Sequence, residues 1–300
     1  MNSVSFYAFD TYNTIQADCA ENVLCEAVER SNEYHRMLSR FEPCSDIWRL
    51  NHEKNTPVRV SADTVKILET ARIVEESSGG AFNIRMGNLL DRWDIKRSPP
   101  MIPRQEVIDA ELSAIRETDW SIQDKTVVLT GGAKLDIGGI AKGYIADRIA
   151  DLLRERGVRH ALINFGGNIV TIGVRPDGKP WRIGLQTPGR EWGRSYWASI
   201  ESADNTVVTS GIYERAFELN GKRYHHILDP SNGYPAQTTI VSVTVQAEDS
   251  MVADAVATAA LILGPEKGLD LIHRFGAKGI ILEKDGTITR SKDAVIFTEA

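Results

Sequence analysis

The sequence predicts an α+β fold in which mixed or antiparallel sheets pack against helices. Short runs rich in β-branched residues dominate the chain after Trp120. Asn220-Gly221 and Asp285-Gly286 each separate two such runs, and both dipeptides favour the positive φ angles of a type I′ hairpin turn. Because hairpins pair antiparallel strands and helical stretches interrupt the runs irregularly, a strict strand–helix alternation is not expected.

Helices are predicted to fill most of the first third of the chain. Apolar residues recur at helical spacing in two stretches, and a proline-rich break precedes a third. The last proline of that break, Pro103, suits the first turn of the third helix. The predicted helices follow Asp18 as far as Leu38, follow Ser61 as far as Gly79-Gly80, and run from Pro103 to about Ile115, with a turn over Leu38–Ser45.

Strands are predicted to dominate the rest of the chain, with three helices among them. No internal repeat and no low-complexity segment divides it. The predicted strands are Thr126–Thr130, Ala161–Asn164, Ile169–Val174, Trp181–Gln186 and Thr238–Gln246, and the predicted helices are Ile140–Arg156, Ser250–Leu263 and Pro265–Phe275.

Composition excludes several classes of protein. The chain has 300 residues, of which 42% are hydrophobic, so it can bury a sizeable core and is not mainly disordered. Its 35 basic and 41 acidic residues leave a net charge of −6, which provides no overall basic surface for nucleic acid or an anionic membrane. We therefore expect no nucleic-acid partner.

Cysteines and the N-terminus indicate the compartment. The three cysteines lie within the first 44 residues and lack the spacing of a metal or redox pair, so a disulfide scaffold is excluded. Residues 1–10 carry no basic leader followed by an apolar stretch, and the most apolar run, Ala255–Leu263, is too short to cross a bilayer. The sequence therefore predicts a cytoplasmic protein without a transmembrane segment.

The segment Leu135–Asp147 is the first candidate for chemistry. A short strand is predicted to meet Gly138-Gly139, after which a helix begins. Free N–H groups and the positive end of that helix could receive a phosphate, with Lys142 adding charge. The motif is neither a Walker loop nor a dinucleotide-binding glycine motif. The alternative is that the glycines only permit a tight turn.

Asp254 and Thr258 form the second candidate. Their spacing of four residues places them on one helix face. A carboxylate and a hydroxyl are hard oxygen ligands, and so few of them suit a Mg²⁺ ion that keeps waters and binds substrate phosphates. Alternatively, Asp254 only compensates the dipole of the helix.

Two further segments are ambiguous on their residues alone. His225 and His226 adjoin within Tyr224–Pro235 and would point to opposite faces of a strand, so one of them could carry a proton while a structural role is equally consistent. Asp229–Gly233 is typical of a rigid turn. The glycines of Asn164–Asn168 permit close approach of a ligand or of another backbone, and a plain bulge explains them equally well.

Taken together and in this order, these segments resemble the FAD:protein FMN transferase family, also called ApbE. The resemblance covers nearly the whole chain, so residues 1–300 are expected to form a single catalytic unit, with a smaller subdomain around residues 1–120 as an option. The segments that carry it are Asp136–Asp147, Asn164–Asn168, Thr209–Arg215, His226–Pro230 with Gly233 and Pro235, and Asp254–Thr258, with weaker matches at Leu38–Ser45, Leu50-Asn51 and Ser78–Trp93.

The resemblance implies an ApbE-like, T-fold-related architecture and assigns roles to individual residues. Two positions depart from the family pattern: Phe82-Asn83 stands where the family usually has Phe-Asp, and Phe9-Asp10-Thr11 where it usually has Met-Gly-Thr. The implied ligands of Mg²⁺ are Asp254, Thr258 and the Gly139 carbonyl; the implied flavin contacts are Phe9, Ala81, Phe82, Asn83, Lys142 and Ile227; and the implied proton acceptor is His226, with Asp254 as a substitute.

The implied reaction moves FMN from FAD to a threonine hydroxyl of a target flavoprotein and releases AMP. Two other functions compete with it: a Mg²⁺-dependent FAD pyrophosphatase that yields FMN and AMP, and a non-catalytic flavin-binding protein. The carrier would need no metal ligands, so Asp254 and Thr258 count against it. An aromatic side chain at Phe41 could shield the reacting phosphate from water and favour transfer, or it could simply pack as core.

Overall fold

The computed structural model describes residues 1–189, 195–213 and 215–298. The chain divides into two compact units, each built from separate stretches of sequence. The first unit comprises Met1–His35, Ile140–Gly211 and Thr239–Ala300, and the second comprises Arg36–Gly139 and Ile212–Thr238.

The described residues form eight α-helices and fifteen β-strands, with one 3₁₀ turn at Ile84–Met86. The helices are α1 (Glu21–Leu38), α2 (Asp46–His52), α3 (Ala62–Ser77), α4 (Gly87–Trp93), α5 (Gln105–Glu117), α6 (Ala141–Glu155), α7 (Ser250–Leu263) and α8 (Pro265–Arg274). The strands are β1 (Asn2–Ala8), β2 (Thr11–Ala17), β3 (Pro57–Arg59), β4 (Asp119–Gln123), β5 (Thr126–Thr130), β6 (Ala161–Phe165), β7 (Asn168–Ile172), β8 (Trp181–Gln186), β9 (Tyr196–Ser202), β10 (Thr206–Gly211), β11 (Ala216–Leu219), β12 (Lys222–His225), β13 (Ile240–Ala247), β14 (Lys278–Glu283) and β15 (Ile288–Arg290).

An eight-stranded sheet organises the first unit. Its order is β1-β2-β6-β7-β10-β13-β14-β15, and every pair of neighbours is antiparallel. Helix α7 packs against the central strands β7, β10 and β13, with α6 and α8 beside it. On the other face, Trp181 of the β8–β9 hairpin shares an apolar cluster with Val207 and Ile280. Strand β10 therefore begins with three successive buried residues, because both faces of the sheet are covered there.

The second unit is built around an apolar cluster of helix and hairpin residues. Strands β3, β5 and β4 form a small antiparallel sheet, and β11 pairs with β12. Trp93 of α4 lies in the cluster with Ile108 of α5 and Tyr224 of β12, and its indole N–H donates to the Gly233 carbonyl at 2.8 Å. Gly233 has a φ of 76°, and a Cβ there would lie 2.5 Å from Ile108, so only glycine fits this position.

Most predicted elements are confirmed, with shifts of one or two residues at some ends. The strands Thr126–Thr130 and Trp181–Gln186 and the helix Ser250–Leu263 agree with the prediction at both ends. The Asn220-Gly221 hairpin also forms, with φ angles of 53° and 70° that fit a type I′ turn. The α+β class with antiparallel pairing is therefore confirmed.

Three local predictions are wrong. The Asp285-Gly286 hairpin forms between β14 and β15, but its type I′ turn does not: Asp285 has no positive φ, its carboxylate accepts the Thr287 N–H at 2.9 Å, and β15 begins only at Ile288. Helix α5 begins at Gln105, so Pro103 precedes the helix instead of occupying its first turn. The segment that leads into Gly138-Gly139 is irregular and forms no strand.

One hairpin escaped the sequence analysis. Strands β1 and β2 are joined by Phe9 and Asp10, whose φ angles are 56° and 62°. The pair Phe9-Asp10 does not signal such a turn as Asn-Gly does, because a bulky residue such as phenylalanine rarely adopts a positive φ. Within the described residues, no helix is both long and apolar enough to cross a membrane.

Gly143→Ala should destabilise the first unit. A Cβ at residue 143 would lie 2.1 Å from the Ser250 carbonyl oxygen, so α6 and α7 would have to separate. We expect a loss of about 3 kcal/mol in the free energy of unfolding, the upper end for an overpacked core. Urea denaturation measures it. Gly132→Ala is the control, because Gly132 is not fully buried and its Cβ would meet only Ala114 at 3.6 Å; equal effects of the two variants would contradict the packing argument.

Candidate functional site

Asp254 and Thr258 share one face of α7, as their spacing predicts. Asp254 is 3% exposed, and the Thr258 hydroxyl donates to the Asp254 carbonyl at 3.2 Å. Ser210 of β10 places its hydroxyl 3.4 Å from that of Thr258. The helix therefore presents a buried carboxylate and a hydroxyl together, with a second hydroxyl supplied by the sheet.

The start of α6 supplies the positive partners of Asp254. The Gly143 N–H donates to Asp254 Oδ2 at 3.1 Å, and Lys142 Nζ lies 3.5 Å from the same oxygen. This arrangement needs glycine at 143, since the Ser250 backbone occupies the space that a side chain would take. Lys142, predicted to add charge for a phosphate, and Asp254 of the predicted metal pair thus meet through the contact of two helices of the first unit.

Two carboxylates lie at the N-terminus of α7. Asp249 caps the helix by accepting the Val252 N–H at 2.8 Å. Asp147 of α6 accepts the Ser250 and Met251 N–H groups at 3.2 and 3.0 Å. Burial and the nearby Asp249 raise the pKa of Asp147 to about 7, although the two backbone N–H groups and Arg148 oppose this change. Sequence analysis did not single out Asp147 for any role.

An irregular segment of the second unit precedes α6. Its backbone is held from outside, because the Asn51 side chain both accepts from Leu135 N at 2.6 Å and donates to Leu135 O at 2.9 Å, while Asp136 N donates to Ile84 O at 2.7 Å. These bonds replace the strand that was predicted here. They leave Gly139 in the turn before Ala141, where its role as a metal ligand stays a prediction.

Asp136 shapes the Gly138-Gly139 turn. Its carboxylate accepts the Gly138 N–H at 2.8 Å and forms an ion pair with Arg40, whose Nε lies 2.6 Å from Oδ2 without pointing at it. Arg40 also bonds Asp91 at 2.8 Å and lies 4.3 Å from the centroid of the Phe41 ring. Phe41 itself is 72% exposed, so its packing as ordinary core, one of the two alternatives, is wrong.

The expected flavin contacts at Ala81, Phe82 and Asn83 lie in the second unit. Ala81 and Phe82 are buried, at 9% and 4% exposure, which leaves little of their surface for a ligand in this structure. Asn83 caps the 3₁₀ turn through a 2.8 Å bond from Arg85 N, and its amide donates to Glu75 at 3.5 Å. An aspartate at position 83 could accept from Arg85 N but could not donate to Glu75. The asparagine that stands here in place of the usual aspartate therefore suits the neighbouring Glu75 carboxylate.

His225 and His226 differ in partner, as their alternation predicts. His225 is buried and its Nε2 bonds the Ala236 carbonyl at 3.1 Å. His226 is only half-buried, and its Nδ1 lies 3.2 Å from the Arg215 carbonyl. Because a carbonyl can only accept, Nδ1 carries the proton and Nε2 is the basic nitrogen of the neutral ring. The next residue, Ile227, is buried and bonds Ala236 through its carbonyl at 2.9 Å.

Phe9 lies at the β1–β2 turn of the first unit. Its ring centroid is 5.2 Å from that of His35 and 5.6 Å from that of Phe165. Its positive φ is a backbone conformation that bulky residues seldom adopt. The glycines of Asn164–Asn168 form the neighbouring hairpin turn, with φ angles of 57° and 93° at Gly166 and Gly167, so the bulge alternative gives way to a tight turn.

The oxygen ligands of α7 fit a Mg²⁺ ion that takes only a few of its ligands from the protein. Asp254 and Thr258 are hard oxygen donors on one face, which suits an ion that keeps waters and takes oxygens from substrate. Among the described residues, no group of three or more His, Cys, Asp or Glu side chains is arranged to hold a metal.

Comparison with known proteins decides the family. The ApbE family model matches residues 7–281 of the chain. This chain belongs to the ApbE family. The match spans stretches of both units. It includes all the segments from Asp136 to Thr258 that carry the resemblance.

Named relatives and solved structures are similar over most of the chain. An FAD:protein FMN transferase of Klebsiella pneumoniae is 38% identical over 239 residues, which cover 78% of this chain and 73% of the relative. One of Treponema pallidum is 34% identical over 277 residues, which cover 86% and 76%. The ApbE protein crystal structure from Thermotoga maritima superposes with a TM-score of 0.86 at 30% identity and covers 97% of each chain. The ApbE fold is thereby confirmed.

The structure brings three of the predicted site residues together. Lys142, Asp254 and Thr258 meet in the first unit; Glu214 of the Thr209–Arg215 segment lies outside the described residues. Sequence reasoning missed Gly143, Asp147 and Ser210, although all three lie within segments it had quoted. The sequence does show a helix start at Asp249-Ser250. No local pattern, however, showed which other helix would contact that start.

The stability of the protein should depend on pH through Asp147. The pKa of its carboxyl is about 7 in the folded chain against an ordinary 3.8, so between these values the folded state binds the extra proton. The contribution to stability is thus present at low pH and is lost as pH rises through about 7. Over that range the free energy of unfolding should fall by roughly 1 kcal/mol for each pH unit, and Asp147→Asn should remove this dependence.

Denaturation by urea at about pH 5 and about pH 8 measures this difference. Wild type should lose more stability than Asp147→Asn between the two conditions. If the difference in the free energy of unfolding between wild type and Asp147→Asn stayed constant with pH, the raised pKa of Asp147 would be contradicted.

Proposed function

We propose that this chain is an FAD:protein FMN transferase that acts with Mg²⁺ and places FMN on a threonine of another flavoprotein. The observation that carries the proposal is the contact of Lys142 with the buried carboxylate of Asp254, one helical turn from the half-buried hydroxyl of Thr258. That combination suits a pyrophosphate and its cation. Relatives that carry the name FAD:protein FMN transferase support it.

The proposed reaction is a phosphoryl-type transfer. The acceptor threonine oxygen forms a bond to the FMN-side phosphorus of FAD, the phosphorus–oxygen bond to AMP breaks, and AMP leaves with that electron pair. Asp254, Thr258 and the Gly139 carbonyl would hold Mg²⁺. When bound, Mg²⁺ would neutralise charge on the pyrophosphate and on the departing AMP.

The residues of the chain contribute position and charge. Lys142 balances Asp254 and supplies a positive charge for phosphate oxygens, and the first turn of α6 adds its N–H groups and the positive end of the helix. His226 accepts the hydroxyl proton at Nε2, which the bond from Nδ1 to the Arg215 carbonyl leaves as the basic nitrogen. Such a base contributes on the order of 10²–10⁴-fold.

Flavin contacts remain part of the proposal. We expect Phe9, Ala81 to Asn83, Lys142 and Ile227 to approach the flavin nucleotide, with Ala81, Phe82 and Ile227 having to expose more surface than they do in this structure. The Asn83 amide, bonded to Glu75, keeps a polar group at the position where the family usually has aspartate. The cytoplasmic location expected from the sequence also stays a prediction.

A pyrophosphatase is the second candidate. It would use the same metal ligands, with water in place of threonine. The exposed Phe41 ring, stacked by Arg40, favours transfer, because an exposed aromatic side chain is available to exclude water from the reacting phosphate until an acceptor arrives. A passive flavin carrier would not need the Asp254–Thr258 pair.

Removing one hydroxyl should separate metal chemistry from packing. Thr258→Val keeps the shape of the side chain but deletes the oxygen, whereas Thr258→Ser keeps the oxygen. We expect Thr258→Val to need far more Mg²⁺ for half-maximal AMP release, with a rate lower by about 10-fold or more, and Thr258→Ser to stay close to wild type. Titration of AMP release against Mg²⁺ measures this. Equal Mg²⁺ dependence of Val and Ser variants would argue against Thr258 as a ligand.

An acceptor should determine the rate of FAD cleavage. Incubation with FAD and Mg²⁺ alone should release AMP slowly, and addition of a flavoprotein acceptor with a suitable threonine should raise the rate greatly, because water is then replaced by a docked hydroxyl. Chromatography follows AMP, and mass spectrometry detects FMN on the acceptor. Fast release of both FMN and AMP without acceptor would establish the pyrophosphatase instead.

A further inference from the structure

Asp147 makes a contact that the proposed chemistry does not use. It lies on α6, but both carboxylate oxygens bond α7: Oδ1 accepts from Ser250 N at 3.2 Å and Oδ2 from Met251 N at 3.0 Å. These are the first two N–H groups of α7, which have no partner within their own helix. One side chain therefore ties the start of one helix to the second turn of another.

A second tie lies one turn away on both helices. The Gly143 N–H reaches Asp254 at 3.1 Å, four residues before Asp147 on α6 and four residues after Ser250 on α7. The close approach of Gly143 to the Ser250 carbonyl lies between the two ties. The two bonded pairs thus set α6 and α7 in an antiparallel register, and a slip of one residue would displace Asp254 by about 1.5 Å along its axis.

We propose that Asp147 is a positioning residue that sets the register of α7 on α6 and so holds Asp254 and Thr258 in place beside Lys142. It acts through Asp254 and touches neither substrate nor metal. The inference rests on the proposed function only for what Asp254 and Thr258 bind; the register itself is a property of the first unit.

Simple capping does not account for Asp147. Asp249 already caps α7 through Val252 N, so the helix has a carboxylate at its start without help from α6. Burial beside Asp249 also makes ionised Asp147 costly, as its raised pKa shows. Asp147 is a second carboxylate at the start of α7, and it lowers the free energy of unfolding above neutral pH. Its presence is explained by the position in which it holds α7 against α6, not by its strength as a cap.

Two matched variants test the proposal. Asp147→Asn exchanges one acceptor oxygen for an amide that cannot accept, whereas Asp249→Asn alters a cap that does not reach α6. Mn²⁺ alone, followed by electron paramagnetic resonance on the protein without FAD, reports on the hard oxygen ligands of α7. We expect Mn²⁺ affinity to fall about 10-fold or more in Asp147→Asn and to change less than about 2-fold in Asp249→Asn.

Ser250→Pro supports the test if Asp147→Asn fails to fold. Proline is tolerated at the first position of a helix, and Asp249 before it has the extended φ and ψ of −108° and 115° that proline requires. This variant deletes the N–H that Asp147 Oδ1 accepts and should weaken Mn²⁺ binding in the same direction.

The outcomes separate the two proposals. Wild-type Mn²⁺ affinity in both Asp147→Asn and Ser250→Pro, or an equal loss in Asp249→Asn, would overturn the role of Asp147 whatever the activity. In the AMP assay, Asp147→Asn should need more Mg²⁺ for half-maximal rate, which a loss of folded protein alone would not produce because it lowers only the maximal rate. Wild type that fails to modify any acceptor would refute the proposed function and leave the Mn²⁺ result standing.

Discussion

The contact between α6 and α7 is the constraint on which the candidate site depends. Gly143 lets the two helices approach until backbone meets backbone, and at that distance its N–H and the Lys142 ammonium reach a carboxylate that is almost fully buried. A buried carboxylate needs such partners, since an unpaired charge there would cost several kcal/mol. Packing and electrostatics therefore require the same glycine.

The eight-stranded sheet gives this contact a rigid support. Helix α7 lies across the central strands, and the β8–β9 hairpin covers the opposite face, so β10 is packed from both sides. Ser210 of β10 then reaches Thr258 from a strand that cannot shift without disturbing two layers. Chemistry that relies on position more than on reactive groups benefits from such support.

In the second unit, side chains hold irregular stretches of backbone in place through hydrogen bonds. Asn51 holds Leu135 on both sides of its peptide, Asp136 shapes the glycine turn, and the Trp93 indole holds the Gly233 carbonyl. Irregular segments cannot satisfy their own backbone groups, so each needs a donor or acceptor from elsewhere. This accounts for the asparagine, aspartate and glycine residues that this chain carries at these points.

What the sequence by itself determined is local. The Asn220-Gly221 hairpin, the length of α7 and the common face of Asp254 and Thr258 follow from rules that act over a few residues, and the order of the motifs was enough to identify the family. Tertiary structure alone decided the rest. The bond from Gly143 to Asp254 joins residues 111 positions apart, the Asp147 bonds span more than 100, and the segment before Gly138 gives up its predicted strand for bonds to Asn51, 84 positions away. No local pattern encodes such pairings, because they depend on which helix the folded sheet brings alongside another.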